Sequence, residues 1–400
     1  MERTPKHSSY DVVIIGGGIM GSATAWFLTE QADFDGKVLV IERDATYETS
    51  STAHTNSCMR QQFSNPLNIK ISQFAAQFVK NLRTYMGDDP RVPVLDIQNY
   101  GYLYLADTAR FANTLQENQK IQRAQGAETE LLTAAAIKER YPFFQVDDIL
   151  LGSINRKDEG YWDGGTVFDW LRRAAQERGI EYIEAEVVTI QKESGRVKSV
   201  TLADGTTLTL GQLVNATGPR GAITAKMAGL HIPIEPRKRF SWVFSAASPL
   251  DRDLPLTIDP SGVHVRENGN GTYQCGGHSH IDPAVDYDDF VMDHAIWNDH
   301  IWPVLATRIP QFEAIKVTSE WAGHYAYNTF DHNAIMGAHT DVENFFFLNG
   351  FSGHGLQQSP AMGRATAELL VHGEYRSLDM TPFNFERIPA NAPIIEKAII

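Results

Sequence analysis

Three glycines, Gly16, Gly18 and Gly21, follow the apolar run Val12 to Ile15 in G-x-G-x-x-G spacing. These residues at this spacing suit a pyrophosphate. Gly16 permits a tight turn, Gly18 lets the backbone approach phosphate with no side chain in the way, and Gly21 lets the next helix pack close to the sheet. A helix opening at that turn offers free N–H groups and a partial positive charge. Glu42, at the end of a second apolar run, lies about twenty residues beyond the last glycine, where a carboxylate accepts hydrogen bonds from ribose hydroxyls and disfavours a 2′-phosphate. Arg43 directly follows and is grouped with the same site.

A second glycine-rich turn, Gly350-Phe351-Ser352-Gly353-His354-Gly355, stands between the apolar run Phe345 to Asn349 and a helix-forming stretch beginning near Leu356. The first motif fits NAD and FAD alike. Its place at the N-terminus and this second turn favour FAD, because a second positive helix end can stabilise the charge that reduction places at the flavin N1–C2=O edge. Ser352 is not a nucleophile elbow, since G-x-S-x-G requires glycine where His354 stands. Ser50, Ser51 and Thr52 could hydrogen-bond a pyrophosphate or ribityl chain; a solvated loop is the other reading. The run LVNATG, ending in Ala216, Thr217 and Gly218, is another place where backbone would meet cofactor. His278 and His280 have no evident third partner, and no metal site is expected.

Periodicity supplies the elements that position these residues. Val12–Ile15 and Val38–Ile41 read as buried strands flanking a helix over Ser22–Gln31. Pro66–Tyr85 reads as a helix, 91–105 as a strand pair broken at Asn99-Tyr100-Gly101, and 107–139 as strongly helical with Thr133 an N-cap. A helix from Gly164 to Arg178 ends on Gly179. A strand at Ile180–Ala185 and a β meander over Val187–Leu210 follow. Pro233 and Pro236 introduce short β runs over 237–320, interrupted by a helical stretch at Asp293–Arg308, and Arg237-Lys238-Arg239 reads as an exposed strand start. The expected architecture is α/β: a discontinuous Rossmann-like FAD-binding domain over 1–90, 151–232 and 322–400, with an inserted antiparallel β-sheet substrate domain of α+β character over 91–150 and 233–321.

Composition narrows the function classes. The 400 residues are 42% apolar and 21% charged, as in an ordinary globular protein with ample core. No apolar run is long enough to span a bilayer. The N-terminal MERTPKHSS is short and polar, with no hydrophobic signal region or Arg-rich leader. Two cysteines give no disulfide framework, which fits a cytoplasmic location. A net charge of −14 argues against nucleic acid as a partner, though a few arginines can still set a local positive field for an anionic substrate.

With both motifs placed, the chain resembles the D-amino acid oxidase / sarcosine oxidase superfamily of FAD proteins over nearly its whole length. The resemblance rests on Ile14-Ile15-Gly16-Gly17-Gly18-Ile19-Met20-Gly21, Tyr327-Asn328-Thr329-Phe330-Asp331 and Gly350-Phe351-Ser352-Gly353-His354-Gly355-Leu356-Gln357-Gln358. WAGHYAYNTFD and GFSGHGLQQSP look closest to FAD-dependent oxidoreductase domain-containing proteins of the complex I assembly-factor kind and to bacterial secondary-amine oxidases. The resemblance implies that Gly16, Gly18, Gly21 and Glu42 hold the ADP half of FAD, Ser50, Ser51 and Thr52 the pyrophosphate and ribityl region, and Val187 or Val188 the adenine. It sets Ala216, Thr217 and Gly218 beside the cofactor and Gly353, His354, Gly355 and Leu356 along the flavin ring.

The same resemblance implies hydride transfer from a carbon next to nitrogen, with a small carboxylate-bearing amine as substrate and oxygen or another acceptor taking the electrons. Arg60 matches a sarcosine-oxidase arginine and Arg266 the carboxylate-binding arginine of glycine oxidases; together they would suit a substrate with two carboxylates, such as iminodiacetate. His324 stands where sarcosine oxidases carry a cysteinyl–FAD link. His54 resembles the histidine that carries FAD in dimethylglycine dehydrogenases, which leaves covalent and non-covalent FAD both open. Gln274 replaces a lysine that speeds oxygen reaction, and Gln357 a lysine that helps hold the substrate carboxylate. His264, His324 and Tyr325 are candidate walls of the site. A flavoprotein that assists assembly without turnover is the alternative function.

Overall fold

The computed structural model describes residues 1–397. The apolar run of the first strand, Ser9–Ile15, is buried on both faces from Val12 onward, because it is the centre of a parallel sheet. It pairs in parallel with Thr207–Asn215 on one side and Val38–Glu42 on the other. Glu181–Glu184 lies beyond Val38–Glu42, Val342–Asn349 beyond Thr207–Asn215, and Ile335–His339 closes that edge antiparallel. Val187–Glu193 and Arg196–Leu202 extend the sheet as a meander onto Thr207–Asn215. The helix Ile19–Thr29 is buried along nearly its whole length. It lies between the helices Gly164–Glu177 and Gly355–His372. A Cβ on Gly363 would come within 2.5 Å of the Ala23 Cβ, so the crossing with the last helix depends on that glycine.

A second sheet runs Ile315–Asn328, Ile234–Ala246, Thr272–Gly277, His264–Gly269, Leu256–Ile258, Tyr102–Ala106, Leu151–Asn155 and Glu130–Leu132. It is mixed where a purely antiparallel sheet was expected, because Leu256–Ile258 pairs in parallel with Tyr102–Ala106. Trp242, Phe244, Tyr273 and Phe312 fill the core on one of its faces. The architecture is thus a discontinuous Rossmann-like FAD-binding fold with an inserted sheet domain. A two-stranded ribbon, Cys58–Met59 with Gly160–Tyr161, delivers the chain to Arg60.

Several expectations are revised. Leu151–Asn155 belongs to the second sheet, and Ile315–Asn328 runs as one strand through residues 321 and 322, so both expected boundaries cut into that sheet. Residues 107–139 are not one helical stretch: Ala109–Ala124 stops before Gly126, whose φ is +85°, and Glu130–Leu132 pairs as an edge strand before the Thr133-capped helix. Helix 66–85 breaks at Asn81, and only Tyr102–Ala106 of 91–105 forms a strand. Arg237, Lys238 and Arg239 are half-buried because Asp282 and Asp289, on the segment that crosses them, pair with them.

Candidate functional site

The glycine turn is shaped by backbone alone. Gly16 sits at φ +99°, and a Cβ there would stand 2.4 Å from the Ala216 carbonyl oxygen. Gly21 does not face the cleft; its Cβ would stand 1.9 Å from the Gly16 oxygen, so its absence lets the helix close on the turn. Ile19–Thr29 starts without a side-chain cap, as does Gly355–His372. By contrast Asn65, Thr108, Thr133 and Asp163 cap their own helices. Both of these N-termini border one cleft; Thr52 takes the Ile19 N–H, and their other first-turn N–H groups have no side-chain cap.

Glu42 accepts from the Gly17 N–H at 2.8 Å with one oxygen and from the Asp44 N–H at 3.0 Å with the other. Burial pushes its carboxyl above the usual range, opposed by those N–H donors. Each oxygen keeps acceptor capacity for a ribose hydroxyl. Arg43, Val187, Ala216, Thr217 and Gly218 line the same end. Val188 does not: strand alternation turns it outward, 45% exposed. Tyr47 was not anticipated, yet its hydroxyl is buried there without a partner. Its φ of +58° is a tertiary feature with no mark in the sequence.

The loop after Val38–Glu42 carries the cleft onward. Ser50 donates to the Tyr47 carbonyl at 2.8 Å, Ser51 to the His324 carbonyl at 2.6 Å, and Thr52 accepts from the Ile19 N–H at 3.1 Å. His54 and His324 both line the cleft. His324 stacks on Phe290 with 4.2 Å between centroids, its Nε2 2.8 Å from the Asp289 carbonyl oxygen. The His54 Nδ1 is buried and has no partner. Burial holds both imidazoles below the usual range, for His54 with the neighbouring His324 adding to it.

At the far end, Gly353 (φ +91°) lies against Tyr325, and His354, Gly355, Leu356 and Gln357 continue the wall. Arg60 is 3% exposed. Its backbone N–H donates to Gln357 Oε1 at 2.8 Å, and its guanidinium reaches His354 Nε2 at 2.7 Å and the Tyr104 hydroxyl, over the Phe63 ring at 4.3 Å. A guanidinium can only donate, so His354 is neutral with Nε2 accepting. Burial, then Arg60, holds its pKa well below the usual value. His264 also lines this end. Arg266 does not: its guanidinium lies over the Tyr161 ring at 4.6 Å and donates to Gln274, Asn268 and the Glu267 carbonyl. The expected pairing of Arg60 and Arg266 on one substrate is therefore corrected. Arg239, read as exposed, lines the cleft instead, over the Tyr325 ring at 4.5 Å.

Glycine turn, ribose-ready carboxylate and two uncapped helix starts along one continuous cleft fit a flavin dinucleotide, and the unpartnered Tyr47 hydroxyl and His54 nitrogen leave polar atoms for it to meet. Fold and cleft define an FAD-binding oxidoreductase with a sheet roofing the ring end. Residues 11–369 match the family described as DAO: FAD dependent oxidoreductase, and the chain belongs to it. It is 35% identical to FAD-dependent oxidoreductase domain-containing protein 1 of Xenopus laevis, over 98% of this chain and 85% of that one. It is 26% identical to sarcosine oxidase subunit beta of Rhizobium meliloti, over 91% of this chain and 85% of the other. Among solved structures, L-proline dehydrogenase from P. horikoshii superposes with a TM-score of 0.84 at 25% identity, over 98% of this chain and 100% of that one. Among the described residues, no helix is long and apolar enough to cross a membrane and no group of three or more His, Cys, Asp or Glu could hold a metal ion.

Proposed function

We propose that this protein oxidises the C–N bond of a small carboxylate-bearing amine, an amino acid or N-substituted amino acid of the sarcosine, glycine or iminodiacetate kind. The observation that carries the reading is the polarity of the cleft. Among the described residues, its lining carboxylates are Glu42, Asp44 and Glu186, all at the nucleotide end, whereas Arg60 and Arg239 line the ring end. Arg239 is half-buried and paired with Asp282, so the buried guanidinium at that end is Arg60's, with no carboxylate among the described lining residues beside it, which suits a carboxylate ligand. The similarity to proteins named for sarcosine and proline supports the same class.

Bound FAD would supply the hydride acceptor at flavin N5. The chain supplies placement and exclusion of water. Arg60 would take the substrate carboxylate, its backbone held by Gln357 and its guanidinium position set by neutral His354 and Tyr104. Tyr325 and His324 wall the amine side, and buried, neutral imidazoles leave the amine free to be neutral too. The cleft has no lysine among its described lining residues, and Gln274 is engaged with Arg266 and Asn56. That favours an electron acceptor other than oxygen.

The test is anaerobic mixing of the purified flavoprotein with glycine, sarcosine, iminodiacetate and D- and L-amino acids, following the flavin absorbance. Bleaching by one of them establishes amine oxidation, and slow recovery in air supports a non-oxygen acceptor. Arg60→Lys keeps the charge but loses the two-pronged donor, so KM for the bleaching amine rises roughly 10- to 100-fold, the equivalent of about 1.5–3 kcal/mol. No bleaching across the panel would refute the reading and favour an assembly role without turnover.

A further inference from the structure

His264 belongs to a chain of side chains whose hydrogen-bond directions are all set from one end. Arg266 has donors only. Its guanidinium lies 2.6 Å from Gln274 Oε1, which must therefore be the carbonyl oxygen. Gln274 then presents its NH2 group on the other side, 2.5 Å from Asn56 Oδ1. Asn56 is oriented in turn, with its Nδ2 2.8 Å from His264 Nε2. An amide NH2 donates, so His264 Nε2 accepts and bears no proton. The single proton of the neutral ring is left on Nδ1.

The β-ladder holds this arrangement in register. His264 pairs with Gly276 and Arg266 with Gln274 on adjacent antiparallel strands. Residues two apart share a face, so the histidine and the arginine stand side by side. Gly276 gives the ring its room, since a Cβ there would stand 2.8 Å from His264 Nε2. The ring is 9% exposed, it lines the cleft, and its Nδ1 is buried with no partner in the protein. A buried donor left unpaired is costly, and a ligand acceptor would remove that cost.

We propose that Arg266, through Gln274 and Asn56, fixes His264 as the Nδ1–H tautomer, which donates a hydrogen bond to a carboxylate oxygen of the ligand at the ring end of the cleft. Arg266 is then a positioning residue and His264 the specificity-determining contact beside Arg60. The carboxylate part rests on the amine-oxidation reading above; the relay stands on geometry alone. Burial, then His278, Arg266 and Arg239, lowers the His264 pKa to about 4, so the ring stays neutral over the working range and is a donor instead of a base.

The experiment uses the holoenzyme labelled with 15N-histidine, its His264 signals assigned by their loss in His264→Phe. The expected spectrum shows a protonated Nδ1 and a bare Nε2, unchanged from pH 6 to 9. Asn56→Asp puts an acceptor where the donor was, so Nε2 gains a proton and the ring titrates near neutrality. Protonated Nε2 in the wild type, or titration of its ring between pH 6 and 8, would overturn the relay even if Asn56→Asp failed to fold. Acetate is the ligand probe: it should shift the Nδ1–H signal and bind about tenfold more weakly to His264→Phe. Acetate that binds without moving that signal, or does not bind, overturns the carboxylate contact. A relay found intact in a protein that no amine reduces would reject the reaction and keep the relay; the reverse pattern would do the opposite.

Discussion

Gly353→Ala separates the shape of the ring end from the stability of the fold. The residue sits at φ +91°, where a side chain costs about 1–2 kcal/mol. A Cβ there would stand 2.4, 2.5 and 2.8 Å from Tyr325 Cε2, Cζ and hydroxyl, against an ordinary contact of about 3.5–4 Å. Something must retreat by about 1 Å, and the end of the tyrosine side chain is the mobile partner. Tyr325 also lies under Arg239, a contact worth about 0.5–1 kcal/mol at a half-exposed site. The variant should therefore fold, losing roughly 2–3 kcal/mol in urea titration. Its catalysis should suffer more, since a misplacement of about 1 Å in an active site costs on the order of 100-fold. The assay is the rate of anaerobic flavin reduction by the amine that bleaches the wild type, with the visible flavin band as a second readout. In Gly353→Ala/Tyr325→Ala the clash is gone, so the double variant should reduce within about threefold of Tyr325→Ala alone, a coupling of about 2–3 kcal/mol. Losses that multiply, or a single variant with the wild-type rate and band, would show that Tyr325 is not what Gly353 makes room for.

Glu42→Gln replaces an oxygen that accepts the Gly17 or Asp44 N–H with a donor, so FAD affinity should fall roughly 10- to 100-fold in a fluorescence titration of the apoprotein; an unchanged Kd would remove Glu42 from the ribose site. Glu159 is fully buried beneath Arg60, accepting from the Gln61 N–H, Gln62 Nε2 and Asn155 Nδ2, and burial still pushes its carboxyl up to about 8. A raised carboxyl pKa adds stability that is full below the unfolded value and is lost as pH rises through the folded one. Glu159 should therefore lower the unfolding free energy from urea titration by up to about 1.4 kcal/mol per pH unit between pH 6.5 and 8, and Glu159→Gln should lack that contribution. Histidines lowered in the fold, among them His54, His264, His324 and His354, act with the opposite sign, because their unfolded rings still bind protons at the acid edge of that window; they are common to both proteins and cancel in the comparison with Glu159→Gln. Equal slopes in the two proteins would place Glu159 outside the titration.

The nucleotide half was legible because its requirements are local. Gly16, Gly18, Glu42 and the small hydroxyls of 50–52 are neighbours in sequence before they are neighbours in space, and the backbone that joins them leaves few alternatives. The inserted sheet was harder. Its strands come from four distant stretches, and a three-residue edge such as Glu130–Leu132 has no period long enough to stand out from the helices around it. Leu256–Ile258 gives no sign that its partner lies in parallel some 150 residues earlier. Three consecutive basic residues, Arg237–Arg239, read as exposed in sequence because their partners, Asp282 and Asp289, return to them only when residues 278–293 cross the strand.

The substrate end shows a different limit. The family resemblance pointed to Arg60, Gln357 and Arg266, with His264 a candidate wall, and the structure sets Arg60, Gln357 and His264 in the cleft wall. It sets Arg266 behind them, for a reason that residue types alone do not carry. An arginine on this strand can face a ligand or face Gln274, and the choice depends on which partner is already an acceptor. Here Gln274 and Asn56 complete a path from the guanidinium to an imidazole, so the positive group acts at a distance by fixing where a neutral proton sits. Asn56 and Glu159 escaped notice for the same reason: an asparagine in a loop and a glutamate before a glycine look ordinary until their partners are known. The residue that touches a ligand can be guessed from its chemistry, whereas the residue that decides what the first one presents is identified by following each hydrogen bond from a group that can only donate.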